Sequence, residues 1–494
     1  MKKKSTIIAL VVIILIIAII LVGGVVYNKT DLFSTPQQSF YKYLTSNINE
    51  GGKSYSDFLK EFKKLSEKTY SSKTKVALNL QTDDSSDQKI FDEINKLGIE
   101  IETKNIPSDK KMSSNIKLTN DSKKLADLSV VKDNQKYGVK SDLLYDKYIT
   151  VENKNLHKLF EKFGLSTTNI PDQIEEIDLY DLLYVSESDI KDIKNKYSDL
   201  FINLFSEDKF TKEKDVEVDV NGKSIKTNAY ILTLNEKDAF EAMKKILETV
   251  KNDEKSLNLI EEKIKKLNLG DALEEKINKD TIREELENEI EKIEDEIEYA
   301  SEDEKTTITV YESKGKLAKV ILKTSYDDEV IIENYLKDEK NVIKLDYKEN
   351  DSIQELFMIE YKITKENNKE TAEIKSTFNY EGEKITVEYN ISQSGKIGEG
   401  ENTITSDISV ALDEYKFKVS TNSQINYSDK VSIEGLNNKN SANINDMSVE
   451  EIQKLIEEIT QNVQKNEELI DAVSELFGTK SYEPYSYTYD YELN

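Results

Sequence analysis

Hydrophobic and polar positions alternate with a changing period along this chain, and each change predicts an element. The first is an unbroken apolar run from Ile7 to Val26 behind Lys2-Lys3-Lys4. As a helix rising about 1.5 Å per residue, it covers roughly the 30 Å hydrocarbon core of a bilayer. The run exceeds the 7–15 residues usual for a cleaved signal, and Val22-Gly23-Gly24-Val25-Val26 is a poor cleavage site. It therefore reads as a transmembrane signal anchor over 7–26, with the lipid bilayer as a partner. The basic residues 1–6 form a cytoplasmic stub and the rest lies outside. The expected localisation is a single-pass protein of the cell membrane.

Beyond the anchor, helical and strand periods take turns. Thr35-Pro36-Gln37-Gln38 starts a helix, with Pro at the first helical position and Gln38 closing a capping box. Val76, Leu78 and Leu80 alternate with polar neighbours, as do Ile116 and Leu118, the pattern of half-buried strands. Leu156, Leu159, Phe160 and Phe163 make a helical stripe, and Ser186 or Ser188 can cap a second helix. The clearest hairpin is Val216-Val218-Val220, Asn221-Gly222, then Ile225 to Leu234. Ala239 to Val250 marks an amphipathic helix. Residues 251–300 read as an antiparallel helical hairpin, because Ile282 to Ile297 repeat over too short a span for a coiled coil. Residues 306–433 alternate almost throughout, which predicts an antiparallel meander with one face in a core. Ser448 to Glu451 is a further capping box.

These elements predict an α+β fold: an N-terminal transmembrane helix followed by antiparallel curved sheets covered by helices. The expected division is a first α+β ectodomain unit over 27–250, a charged helical connector over 251–300, and a β-rich second unit with a C-terminal helix over 301–478. A Tyr-rich tail over 479–494 completes it.

Charge narrows the partners. The 494 residues carry 96 acidic and 69 basic side chains, a formal net charge of −27. Such a surface repels phosphate backbones, so no nucleic acid partner is expected. There is no cysteine, so lipid attachment at a lipobox is excluded and no disulfide supports the outer part.

The sheet-and-helix order, with the run Lys136-Tyr137-Gly138-Val139 to Tyr148-Ile149-Thr150-Val151, resembles uncharacterised membrane-anchored ectodomains of Gram-positive bacteria. At the level of pattern it is also similar to the lipoprotein-carrier fold, a curved half-barrel sheet closed by helices. The resemblance implies a greasy sheet that holds a lipid or acyl chain, and no functional motif is carried over with it.

Catalytic chemistry finds little footing. His157 is the only histidine, and it sits on a predicted helix with no nucleophile elbow anywhere in the chain. One His and no Cys argue against zinc. Phosphate loops are absent, and Gly395 to Gly400 has the wrong spacing for a dinucleotide fingerprint. Asp83-Asp84-Ser85-Ser86-Asp87 and Asp327-Asp328-Glu329 crowd oxygen ligands into turns without the twelve-residue calcium loop, so they read as solvated turns. No metal, cofactor or enzymatic activity is expected. Two readings remain. The first is a binding module for an apolar or amphipathic ligand, lined by Phe378, Tyr380, Tyr389, Tyr415 and Phe417. The second is an interaction scaffold of the cell envelope. A carrier calls for an apolar cavity of several hundred Å³.

Overall fold

A computed structural model describes residues 35–44, 67–121, 123–162, 184–266, 278–349, 352–380 and 382–465, with a few isolated positions between them. The expected transmembrane helix over 7–26 lies outside the described residues, as does the tail over 479–494. Among the described residues, no helix is long and apolar enough to cross a membrane.

Contacts divide the chain into two compact units that interleave in sequence. The first comprises 1–63, 175–362 and 374–384, and the second 64–174, 363–373 and 385–494.

The first unit is built on a meander of strands β7 (Phe210–Val220), β8 (Lys223–Asn235), β9 (Lys305–Ser313), β10 (Lys316–Lys323), β11 (Glu329–Lys337), β12 (Lys340–Glu349) and most of β13 (Ser352–Glu366). Each pairs antiparallel with the next. The Asn221-Gly222 hairpin forms as its sequence predicts, with φ of 51° and 74° at the two turn residues and Val220 opposite Lys223. Period-2 burial puts Leu232, Ile308, Leu322 and Val330 in one row, register partner to register partner. All four are at most 6% exposed.

Four helices close this core. In α1 (Pro36–Leu44), Gln38 N donates to Thr35 Oγ1 at 3.3 Å while Thr35 N donates to Gln38 Oε1 at 3.3 Å, the expected capping box. Phe40 is fully buried and meets Phe210 edge-on at 5.4 Å. Tyr197 and Phe201 come from α4 (Glu187–Ile202), Phe240 from α5 (Glu236–Lys251) and Ile293 from α7 (Lys279–Tyr299). Helix α6 (Glu254–Lys266) lies between α5 and α7 in sequence. Ile293 is buried in this core and Ile297 packs against it, so α7 spends its apolar stripe here.

The second unit contains β1 (Tyr70–Gln81), β2 (Leu97–Ile106), β3 (Lys111–Asn120), β4 (Lys123–Asp133), β5 (Lys136–Ser141) and β6 (Tyr145–Glu152), with β16 (Glu399–Leu412), β17 (Tyr415–Tyr427), the short β18 (Ser441–Asn443) and most of β15 (Glu383–Lys396). Strands β1 to β6 pair in sequence order, and so do β15 to β17. Strand β1 joins the two runs. It pairs with β2 along one edge and, over twelve residues from Tyr70↔Tyr427 to Gln81↔Lys416, with β17 along the other. Helices α2 (Ser85–Ile94), α3 (Leu156–Lys162) and α8 (Val449–Gln464) belong to this unit. The Ser448–Glu451 box caps α8.

This corrects the expected fold class. In place of an α+β arrangement of separate helix-covered sheets, the described residues are strand-dominated, with their eighteen strands, β14 (Lys369–Tyr380) included, in one sheet. The physical reason lies at β1. Alternation reveals that a strand has a buried face, but both of its edges carry the same backbone donors and acceptors. Nothing local tells that β1 has a partner on each side.

Candidate functional site

The two faces of the second unit's sheet differ sharply in charge. Residues opposite one another across a ladder share a face, and successive residues alternate between faces. Following the register gives the row Tyr389–Ile408–Val419–Leu78. Beside it run Val387–Val410–Phe417–Leu80 and Ile391–Ser406–Thr421–Val76–Ile99–Leu118. On β15, β16, β17, β1, β2 and β3 this face carries no Asp, Glu, Lys or Arg between Ile385 and Gln393, Asn402 and Leu412, Tyr415 and Tyr427, Tyr70 and Leu80, Leu97 and Asn105, or Met112 and Asn120. The chain as a whole is 33% charged.

The opposite face holds the charges of the same strands. Lys73 pairs with Glu102 at 3.0 Å, Lys75 with Glu100 at 3.1 Å, and Lys418 with Asp407 at 3.1 Å. All six are substantially solvated, so these pairs contribute little stability.

The uncharged face is far from a closed core. Ile408 is 43% exposed and Phe417 39%; Tyr389, Val419 and Leu78 are half-buried. One end meets α2. Asn95, the C-cap of that helix, accepts from Leu80 N at 2.7 Å and donates to Leu80 O at 2.9 Å. Phe91 then faces Tyr415 and Phe417 at centroid distances of 6.4 and 6.0 Å. Tyr415 donates its hydroxyl to Asp87 Oδ2 at 3.1 Å, and that carboxylate holds the phenol above its usual range.

Moving along the strands, the face turns from aliphatic to hydroxylic. Cross-strand hydrogen bonds link Ser406 to Thr421 at 2.7 Å, Thr74 to Ser423 at 2.9 Å, and Thr103 to Ser114 at 3.1 Å. At this level of the strands lies a cavity of about 480 Å³, lined mainly from the opposite, charged face by residues such as Lys73, Glu102, Lys104 and Glu401. Asn402 is 2% exposed. Its amide donates to Lys396 O and Glu399 O, at 2.7 and 3.2 Å, while its Oδ1 accepts no hydrogen bond. The lining is mostly polar. The apolar surface of this unit is an open face.

Of the five aromatic residues singled out in the sequence, Tyr389, Tyr415 and Phe417 share this face. Phe378 belongs to the other unit, where it packs against Phe357 at 5.0 Å. Tyr380 lies on the same strand as Phe378, β14, and its side chain is outside the described residues. Sequence reasoning did not connect Val76, Leu78, Ile99 and Leu118 to the C-terminal aromatics. The available signal was the lack of charge at every second position of both segments.

The other candidates resolve into local structure. His157 Nδ1 is paired with Asp172. Asp84 is the N-cap of α2, accepting from Ser86 N at 2.8 Å and Asp87 N at 3.1 Å. The Ser86 hydroxyl, followed by those amides, holds its carboxyl below the usual range. Asp327 pairs with Lys323 at 2.8 Å. Among the described residues, no three His, Asp or Glu side chains converge as a metal site.

The fold and the face together define a strand-rich protein presenting an uncharged, half-exposed sheet surface. The chain belongs to a family of unknown function, DUF6583, whose model matches residues 1–481. No curated protein matches it. Among solved structures it is similar to OpdQ of Pseudomonas aeruginosa, at 6% identity over 72% of this chain and 97% of that one, with a TM-score of 0.12. OccK1 (OpdK) of the same organism gives 5% identity over 73% and 97%, with a TM-score of 0.13. Intact Ap-TbpB, with its N and C lobes, gives 9% identity over 73% and 78%, with a TM-score of 0.11. Scores this low carry no argument about fold or role.

Proposed function

We propose that this chain is a non-enzymatic binding protein of the cell membrane. It is attached through residues 7–26 with its larger part outside, and its uncharged sheet face takes up an apolar or amphipathic ligand. One observation carries the reading. Six adjacent strands of a chain rich in Lys, Glu and Asp keep one face free of charge, yet leave Ile408 and Phe417 more than one-third exposed. A face meant only as a core would be closed, as the other unit's is; contiguous exposed apolar surface marks an interaction site. Tyr389, Tyr415 and Phe417 supply aromatic area for contact with an apolar chain.

Native mass spectrometry of the protein extracted gently from its own membranes tests the reading. A defined copurifying mass that is lost, or reduced about tenfold or more, in Ile408→Asp supports it, because a carboxylate on this face meets no counter-charge. Ile408 is 43% exposed, so the variant is expected to fold, and a thermal melt checks that. A bare protein together with a specific protein partner captured through the same face would favour the envelope scaffold instead. Recovery of the chain in an alkaline-carbonate supernatant would overturn the membrane attachment.

A further inference from the structure

The charged face of the second unit's sheet holds a separate candidate site. The cavity of about 480 Å³ is lined mainly from this face, and its volume is ordinary for a small-molecule site. Ladder register arranges the lining in two rows across β2, β1, β17 and β16. The first runs Lys104–Ser71–Asn426–Glu401. The second, two residues along each strand, runs Glu102–Lys73–Gln424–Thr403.

The charges divide into one closed pair and two open ends. Lys73 meets Glu102 at 3.0 Å and holds its carboxyl below the usual range, so these two neutralise each other. Lys104 donates to Ser432 O at 3.2 Å, which engages one of its three ammonium donors. Neither Lys104 nor Glu401 has an ion-pair partner among the described residues. They stand three strand spacings apart, about 14 Å at roughly 4.8 Å each, too far to pair with one another. Between them, Ser71 and Thr403 offer hydroxyls, and Asn426 and Gln424 offer amides that both donate and accept, as peptide groups do. The described lining has two lysines, two glutamates and no aromatic ring. It presents no net charge to a simple anion or cation, and no ring for a sugar to stack on.

We infer that this cavity takes a short zwitterionic peptide of about three residues, lying across the strands with its α-ammonium at Glu401 and its α-carboxylate at Lys104. An extended tripeptide covers about 10 Å at roughly 3.3 Å per residue, which leaves room for a charged contact at each end. The site is on the other face from the apolar rows, and neither reading depends on the other.

The test is titration calorimetry of the full chain at neutral pH and low salt, with trialanine, N-acetyl-trialanine, trialanine amide and maltotriose as probes. Trialanine is expected to bind. Blocking either terminus is expected to weaken it at least about tenfold, the loss of one charge-assisted contact. Glu401→Gln is expected to weaken trialanine by a similar factor and to leave N-acetyl-trialanine unchanged. Lys104→Met is expected to do the same for trialanine and to leave the amide unchanged. Both positions are exposed, so the variants are expected to fold, and a thermal melt checks that. Ile408→Asp is expected to leave trialanine binding as it is, so failure at this site is distinguished from failure at the apolar face. No binding of trialanine, equal binding of free and blocked peptides, tighter binding of maltotriose, or unchanged affinity in both folded variants overturns the inference.

Discussion

Lys319 and Glu333 are 8% and 6% exposed and meet at 2.8 Å in the first unit, where Lys319 also donates to Asp219 O at 2.8 Å. Desolvating two ions roughly cancels their attraction, but removing one of them strands the other. Glu333→Gln is therefore expected to cost about 3–5 kcal/mol in urea unfolding. Replacing both partners with Leu and Met should recover most of that loss. Nearby, Asp346 has a different problem. Its Oδ2 accepts from Lys344 at 2.8 Å, but its Oδ1 is buried with no partner. Burial raises its carboxyl above the ordinary 3.8, against the opposing pull of Lys344. The folded chain thus holds a proton that the unfolded chain releases near 3.8. Stability contributed here is present below that value and is lost as pH rises through the raised folded value. Melting temperatures of Asp346→Asn and the parent, followed upward from pH 3.8, should converge or cross, with the variant lacking the downward step.

At the scale of elements, what was legible was local. The hairpin at Asn221-Gly222 is specified by two residues that accept positive φ and by alternation on both sides. Capping boxes at Thr35–Gln38 and Ser448–Glu451 need only residues three apart. Ser448→Ala is expected to destabilise α8 by about 1 kcal/mol, read as a loss of helical signal in the second unit. Pairings between distant segments were not legible. Thr74 and Ser423 are hydrogen-bonded although 349 residues apart, and no turn residue announces it. The candidate site suffered the same way. Tyr389, Tyr415 and Phe417 alternate within strands and could be read. Phe378 has the same alternation but belongs to the other unit, because period 2 names a face and not a sheet neighbourhood. Val76→Pro at the middle of β1 should disturb both ladders at once. Hydrogen exchange is expected to rise in β2 and β17 while β8 to β10 keep their protection.

At the scale of the whole molecule, the two units bury apolar side chains by different means. The first encloses them: Phe40, Leu232, Leu234, Val310 and Leu322 are all at most 1% exposed beneath helices. Leu232→Ala there should cost about 2–5 kcal/mol in urea unfolding, without changing any ligand binding by the second unit. The second unit leaves its apolar rows half-open, so its stability rests more on backbone ladders, and occupancy of the face should raise its melting temperature.

Strand β1 also bears on the making of the protein. A ribosome releases β1 long before β17 exists, so that edge of β1 stays unpaired while most of the chain is still being synthesised. During that interval the nascent chain carries an open strand edge beside a greasy face, the combination that favours intermolecular pairing. Closure of the β1–β17 ladder must wait for the C-terminal segment, and contacts of such long sequence separation form slowly. This chain therefore has a late and vulnerable final folding step, and a truncation anywhere before Tyr427 leaves the seam beside β1 incomplete.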